Sequence, residues 1–307
     1  MVIALAALIS PLSTAQAISP LGGPRFATVL MDADTNEILY AEQATAIRHP
    51  ASITKVMTLY IVFDALDAGR LRLDDRVVMT PRAVSQRPSK LGLGVGQSLS
   101  VEEAISVVAV KSANDVAVAL AEKVGGSEEN FARLMTAKAR QLGMRQTVFA
   151  NASGLPDPAH FTSAQDIAIL SAAMIRNHPD RYRCFSEQSY SYGRLRLANH
   201  NKLLGVVPGL DGIKTGFTND SGFTLTASAI RGGRRLIAVV LGSPSGWQRN
   251  RDITILLNTG FTALDIRRNG GAEDMPALLS SAGFPLNRSL RPVPQLVTLD
   301  VEEGDGE

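Results

Sequence analysis

Apolar positions along the chain change their spacing several times, and each change marks an element. Ala27–Met31 and Glu37–Ala41 read as two strands around a turn at Asp34-Thr35-Asn36. Behind Ser52 the run Val56-Met57-Thr58-Leu59-Tyr60-Ile61-Val62-Phe63 is apolar on nearly every side, with Pro50 just before it and Gly69 just after. That pattern predicts a buried helix opening at Ser52. A polar segment (70–90) and the glycines 92, 94 and 96 follow. Ser100-Val101-Glu102-Glu103 is a capping box opening a helical stretch through Ile105, Val107, Val108 and Val110. Lys111–Asp115 interrupts that stretch, which resumes to Val124. Ser127 caps the next helix through Phe131, Leu134 and Leu142. Asn151–Asp157 reads as a loop, and Thr162 or Ser163 caps a helix through Ile167, Leu170 and Met174 that ends near Asn177, before Pro179.

From Asp211 the spacing becomes that of strands: 212–218, 223–229 and, after the Gly232-Gly233 turn, 236–241, an antiparallel meander. A last helix is expected from about Trp247 to Leu264. Residues 269–307, rich in Gly, Pro, Ser and acids without a clear period, read as a disordered or loosely attached tail. Strands at both ends of a central domain (24–265) with helices between them predict an α+β architecture, an antiparallel sheet covered by helices with a mainly helical subdomain. At the N-terminus, apolar Val2–Ile9 followed by Ala15-Gln16-Ala17 has the form of a signal peptide cleaved after Ala17. Export to the periplasm or the extracellular space as a soluble protein is therefore expected, and the apolar run is too short to span a bilayer.

Composition narrows the chemistry. The 307 residues carry a net charge of +2, too small to suggest a nucleic-acid partner. Five acids (Asp300, Glu302, Glu303, Asp305, Glu307) close the chain, leaving a mildly basic body suited to a carboxylate-bearing substrate. The single cysteine, Cys184, forbids an internal disulfide and reads as a buried structural thiol. Asp32-x-Asp34-x-Asn36 departs from a calcium loop at Glu37 and Gln43. The glycine cluster lacks a following Gly-Lys-Ser/Thr, and His49, His160, His178 and His200 read as structural or surface residues without metal-ligand spacing. No metal or cofactor is expected.

Residues three apart on a helix share a face, so Ser52 and Lys55 stand side by side. A serine hydroxyl needs a base to become a nucleophile. A lysine, with a free pKa of ~10.4, is a base only after a shift of about 3 units, roughly 4 kcal/mol, through burial or a second cation. The polar Lys111-Ser112-Ala113-Asn114-Asp115 within an apolar helical pattern reads either as a helix junction capped by Ser and Asn or as a polar cluster facing Ser52.

Ser52-x-x-Lys55, Ser112-x-Asn114 and Lys214-Thr215-Gly216 are each weak signals, but their order and context are specific. With His49-Pro50-Ala51, Asn151-x-x-Gly154-Leu155 and Asp211-Gly212-Ile213 they resemble the D-alanyl-D-alanine carboxypeptidases, the low-molecular-mass penicillin-binding proteins, over roughly residues 24–265. The resemblance implies a penicillin-binding protein/serine β-lactamase-like fold and acyl transfer on peptidoglycan stem peptides, with β-lactams as acylating inhibitors. It implies Ser52 as nucleophile, Lys55 as base, Ser112 as proton relay and Asn114 as substrate ligand. Lys214 would be the second cation and, with Thr215 and Arg249 (or Arg251), would bind the terminal carboxylate. Gly216 belongs to the same strand motif, and the N–H groups of Ser52 and Phe217 would form the oxyanion hole. A D,D-endopeptidase, a serine β-lactamase and a catalytically idle wall-binding protein are the alternatives. No acid precedes Asp157 in the loop where a class A β-lactamase would carry its glutamate. About 40 residues after the last helix are too few for the β-rich second domain of many members and show no apolar face for an amphipathic anchor.

Overall fold

The computed structural model describes residues 25–286. The expected leader (1–17) and the closing acids lie outside the described residues. Chain order runs β1 (Ala27–Asp32), β2 (Ile38–Glu42), α1 (Thr54–Asp67), β3 (Arg76–Val78), α2 (Pro81–Val84), β4 (Ser98–Ser100), α3 (Val101–Val110), α4 (Asn114–Gly125) and α5 (Glu128–Leu142). It continues with α6 (Ala164–Asn177), α7 (Pro179–Tyr182), β5 (Ser189–Tyr192), β6 (Leu195–Ala198), β7 (Leu210–Thr218), β8 (Gly222–Arg231), β9 (Arg234–Ser243), α8 (Gly246–Arg268) and α9 (Met275–Ser281). The architecture is α+β. The N-terminal hairpin joins the C-terminal meander in one antiparallel sheet of order β2-β1-β9-β8-β7.

Both faces of that sheet are covered. In β9, Ile237, Val239 and Leu241 face the helical layer, Leu236, Ala238 and Val240 face α8, and all six are fully buried. A strand buried on both faces loses its polar alternation, which is why 236–241 reads as one apolar run. On the α8 side, Ile253, Leu256, Leu257, Phe261 and Leu264 complete a smaller core. On the other side α1 runs through the larger one, buried from Thr54 to Phe63. A helix with no solvated face shows no amphipathic period.

Three expectations change. The segment after residue 269 is not structureless throughout: α9 packs Met275 and Leu279 into the smaller core, and the Phe284 ring packs tilted against Phe26 and edge-on against Tyr40. Two turns give too few apolar positions to show a period, yet burying each is worth roughly 1.5–3 kcal/mol. Ser52 lies in a single 3₁₀ turn, Ala51–Ile53, and α1 begins at Thr54. The junction before α4 has Ala113 at its N-cap with no side-chain cap, so neither Ser112 nor Asn114 caps the helix. No helix among the described residues is long and apolar enough to cross a membrane.

Candidate active site

Four segments meet at the junction of the sheet and the helical layer: the 3₁₀ turn with the start of α1, the α3–α4 junction, the 151–155 loop, and β7. Glycines permit two of the approaches. Gly154 has φ of +82°, and a Cβ there would lie 1.8 Å from the carbonyl oxygen of Ala51. A Cβ on Gly216 would lie 2.8 Å from Ser52 N and 2.6 Å from Thr224 Oγ1, so only glycine lets β7 close on the serine turn. Two non-glycine residues here also take left-handed backbone, Ala51 (φ 49°) and Ser112 (φ 61°). Such conformations persist only where the surroundings over-determine them.

Lys55 is fully buried. Its Nζ stands 3.0 Å from Ser52 Oγ, 2.6 Å from Asn114 Oδ1 and 2.5 Å from the Ser153 carbonyl. Asn114 Nδ2 donates to Arg87 O at 2.8 Å, which fixes the amide with its oxygen toward the lysine. Burial most of all, then the nearby Lys214, hold Lys55 well below the ordinary lysine range, while Asp115 works in the opposite direction. A neutral amine has two N–H groups and one lone pair. Asn114 Oδ1 and Ser153 O can only accept, so they take both N–H groups and the lone pair is left facing Ser52 Oγ. The amine is thereby arranged to receive the hydroxyl proton.

Lys214, in β7, is 1% exposed, and burial followed by Arg249 brings its pKa to about 7. The Ser112 hydroxyl is buried with no hydrogen-bond partner in the structure. Asp115 anchors the opposite wall: its carboxylate accepts the backbone N–H groups of Leu91 (3.0 Å) and Gly92 (2.9 Å), and Asn114 N donates to Ser89 O (2.7 Å).

The half-open pocket, about 280 Å³, is lined by Ser52, Ser112, Asn114, Thr215, Gly216, Phe217 and Arg249, together with residues of the 88–89 and 154–155 segments. Every predicted site residue thus lines the pocket or, as Lys55 and Lys214, lies buried beside it. Of the two arginines, Arg249 lines the pocket and is buried against Thr224 O, whereas Arg251 is exposed and donates to Gly283 O.

Three contributors were not legible in the sequence. Ser153 acts through a backbone carbonyl, which leaves no residue-type signal. Asp115, adjacent to the Ser-x-Asn motif, was visible only as part of it. His200 lines the pocket, where partial burial and then the lysines Lys214, Lys111, Lys202 and Lys55 hold it down to about 4. His160 is structural, accepting Ala150 N–H at Nδ1 and donating through Nε2 to Thr54 Oγ1. Cys184 is buried, and burial raises its thiol pKa.

Residues 25–245 match the family model described as D-alanyl-D-alanine carboxypeptidase, peptidase family S11. The chain is 35% identical to D-alanyl-D-alanine carboxypeptidase DacF of Bacillus subtilis, over 76% of this chain and 61% of that protein. It is 38% identical to DacD of Escherichia coli, over 79% and 65%. Penicillin-binding protein 5 of Haemophilus influenzae superposes with a TM-score of 0.75 at 35% identity, over 83% of this chain and 73% of that one. Penicillin-binding protein D2 of Listeria monocytogenes in its cefotaxime-bound form superposes at 0.70 with 31% identity, over 76% and 96%. The chain spans about 60% of the length of the first curated relatives it matches. With the family model covering most of the chain and its fold shared with these penicillin-binding proteins, the chain belongs to the D-alanyl-D-alanine carboxypeptidase family.

Proposed function

We propose that the chain is a serine-type D-alanyl-D-alanine carboxypeptidase that removes the terminal D-alanine from peptidoglycan stem peptides outside the cytoplasmic membrane, in the periplasm or extracellular space. The observation that carries this reading is the buried Lys55 amine, pushed well below the ordinary lysine range by burial and Lys214, standing 3.0 Å from Ser52 Oγ with Asn114 Oδ1 and Ser153 O accepting from it.

Ser52 Oγ attacks the carbonyl of the D-Ala-D-Ala bond as its proton passes to Lys55 Nζ. The N–H groups of Ser52 and Phe217 hold the oxyanion, each worth roughly 3–4 kcal/mol. The C–N bond then breaks as a proton travels from Lys55 through Ser112 to the departing amine. A water attacks the resulting ester, its proton returns by way of Lys55 to Ser52 Oγ, and the shortened peptide leaves with a new carboxylate. The second Nδ2 hydrogen of Asn114 binds the substrate amide carbonyl. Lys214, Thr215 and Arg249 bind the terminal carboxylate, a reading supported by Thr215 and Arg249 on the pocket wall, Lys214 buried behind it, and no acid among the lining residues.

A β-lactam would acylate the same oxygen and leave slowly, because no carboxylate lines the pocket to activate a water for the ester. Fluorescent penicillin should label the protein and fail to label Ser52→Ala. Defined stem pentapeptides should release free D-alanine. Cross-linked dimers split instead would make it an endopeptidase, and labelling that survives Ser52→Ala would refute the acyl-enzyme.

A further inference from the structure

The acyl-transfer scheme leaves two phenyl rings of the pocket without a task. Phe217 in β7 and Phe223 in β8 are partners across the hairpin, and both line the pocket. Their ring centroids are 4.3 Å apart and the planes are tilted by 33°, so the rings pack on each other. Phe217, on the edge strand of the sheet, is nevertheless 52% exposed. A ring left half in water at a pocket mouth gains by covering an apolar group. The pair is also held in place. Beyond it the hairpin closes through Thr218 N–H to Ser221 Oγ (2.9 Å) and Ser221 N–H to Thr218 Oγ1 (3.0 Å). A Cβ at Gly246 would stand 3.6 Å from the Phe223 ring and 3.9 Å from Arg249 Nη2, so ring and guanidinium flank one point at the head of α8. Arg249 Nη1 also donates, at 3.4 Å, to the carbonyl of Thr224, the residue after Phe223. On β7, Thr215 and Phe217 are two apart and share a face, about 6.5 Å from each other. The rings therefore adjoin Thr215 and Arg249, whereas Asn114 reaches the pocket from the α3–α4 junction.

We infer that Phe217 and Phe223 form an apolar subsite for the side chain of the departing residue, so that the pocket binds peptides ending in a larger aliphatic D-residue more tightly than those ending in D-alanine. The side follows from Thr215 and Arg249: a residue whose carboxylate they hold has its own side chain next to the rings. A methyl group is too short to cross from Thr215 to the Phe217 ring, and a branched chain of four carbons spans the gap. The inference rests on the acyl-transfer reading above, which puts the terminal carboxylate on Thr215 and Arg249. It extends the substrate class from peptides ending in D-alanine to peptides whose departing residue is aliphatic and larger.

The test uses three acyl peptides that differ only in ending D-Ala-D-Ala, D-Ala-D-Leu or D-Ala-D-Gln, the last matching leucine in reach but not in polarity. Binding to the Ser52→Ala protein is measured by calorimetry. The D-Leu peptide should bind roughly five- to ten-fold tighter than the D-Ala peptide, for three added carbons that are partly buried. The D-Gln peptide should gain nothing, and the D-Leu to D-Ala ratio should hold at about 0.5 M salt, since no charge distinguishes the two. Adding Phe217→Ala or Phe223→Ala should each lower the ratio, and both together should bring it to one. Phe217→Ala, at a half-exposed position, keeps the test alive should Phe223→Ala fail to fold. Equal binding of the D-Leu and D-Ala peptides, a D-Gln peptide bound as tightly as D-Leu, or a preference that survives the substitutions overturns the subsite. Turnover by the unsubstituted protein is followed separately: no release of D-alanine, D-Leu or D-Gln from any peptide overturns the carboxypeptidase reading, while the binding ratio still decides the subsite.

Discussion

Replacing Lys214 with methionine should stabilise the protein at neutral and acid pH while abolishing its activity. The lysine is 1% exposed, and its amine makes one long contact, 3.5 Å to the carbonyl of its own neighbour Thr215. Its pKa falls from an ordinary 10.5 to about 7, first through burial and then through Arg249. Between those two values the unfolded chain holds a proton that the folded chain has lost, so stability rises with pH across that window. Below about pH 7 both states are protonated, and the folded state bears the whole cost of the shift. The gap between about 7 and 10.5 converts to roughly 4–5 kcal/mol. Methionine retains most of the buried chain without the charge, and an imperfect fit costs about 1.5 kcal/mol or less. The net gain should therefore be roughly 3 kcal/mol at pH 6, falling as pH rises above about 7 and turning into a loss of about 1 kcal/mol as pH approaches 10.5. Urea unfolding at pH 6, 8 and 10 measures it as a difference in midpoint at constant slope. A variant less stable than the parent at pH 6, or a gain independent of pH, would refute the claim that β7 holds a costly buried ammonium at the pocket.

Asp115→Asn removes an acceptor from the Leu91 and Gly92 N–H groups and should cost roughly 2–4 kcal/mol of stability. It also removes the one carboxylate that opposes the depression of Lys55, so the acid limb of penicillin acylation should move to lower pH; movement to higher pH would contradict the assignment of Lys55 as base. Gly154→Ala must overcome both a positive φ and a Cβ 1.8 Å from Ala51 O. It should cost more stability than the roughly 1–3 kcal/mol of backbone strain alone, seen as a lowered melting temperature, and slow acylation, and a parental melting curve would count against the close approach. Cys184, buried with its thiol pKa raised, should react with a thiol reagent only on unfolding; fast labelling of native protein would show the residue to be accessible.

Side-chain chemistry was legible where residue type and spacing together encode it. Ser52 and Lys55 share a turn because helical geometry puts i and i+3 together, and this holds although the serine sits in a 3₁₀ turn rather than in α1. Lys214-Thr215-Gly216 sits in a strand, as its β-rich surroundings indicate. Other parts of the site are carried by backbone and by distant packing, which residue types do not report. The Ser153 carbonyl, the left-handed turn at Ser112 and the anchoring of residues 91–92 by Asp115 exist only once the loops are closed. The choice between Arg249 and Arg251 depended on which side of α8 meets β8, and a helix buried along part of its length gives no sequence signal fine enough to separate positions two apart. The strands β3 to β6 were invisible because three or four residues are too few for an alternation to register.

The costs at this site fall in one place. Two fully buried lysines, two non-glycine residues with positive φ, and a buried hydroxyl without a partner lie within the same few segments. Backbone strain costs roughly 1–3 kcal/mol per residue and Lys214 roughly 4–5 kcal/mol while it is charged, and none is relieved by a local alternative, since the neighbours that would have to move belong to the core. Ile53, Val56, Met57 and Leu59 pin the serine turn and α1 inside the larger cluster, and Val108, Val110, Val116 and Val118 do the same for the α3–α4 junction. Each such side chain returns roughly 1.5–3 kcal/mol on burial. The unbroken burial of α1 from Thr54 to Phe63 serves the same end: a solvated face there would relieve the burial that holds the Lys55 amine well below the ordinary lysine range and make it a poorer base.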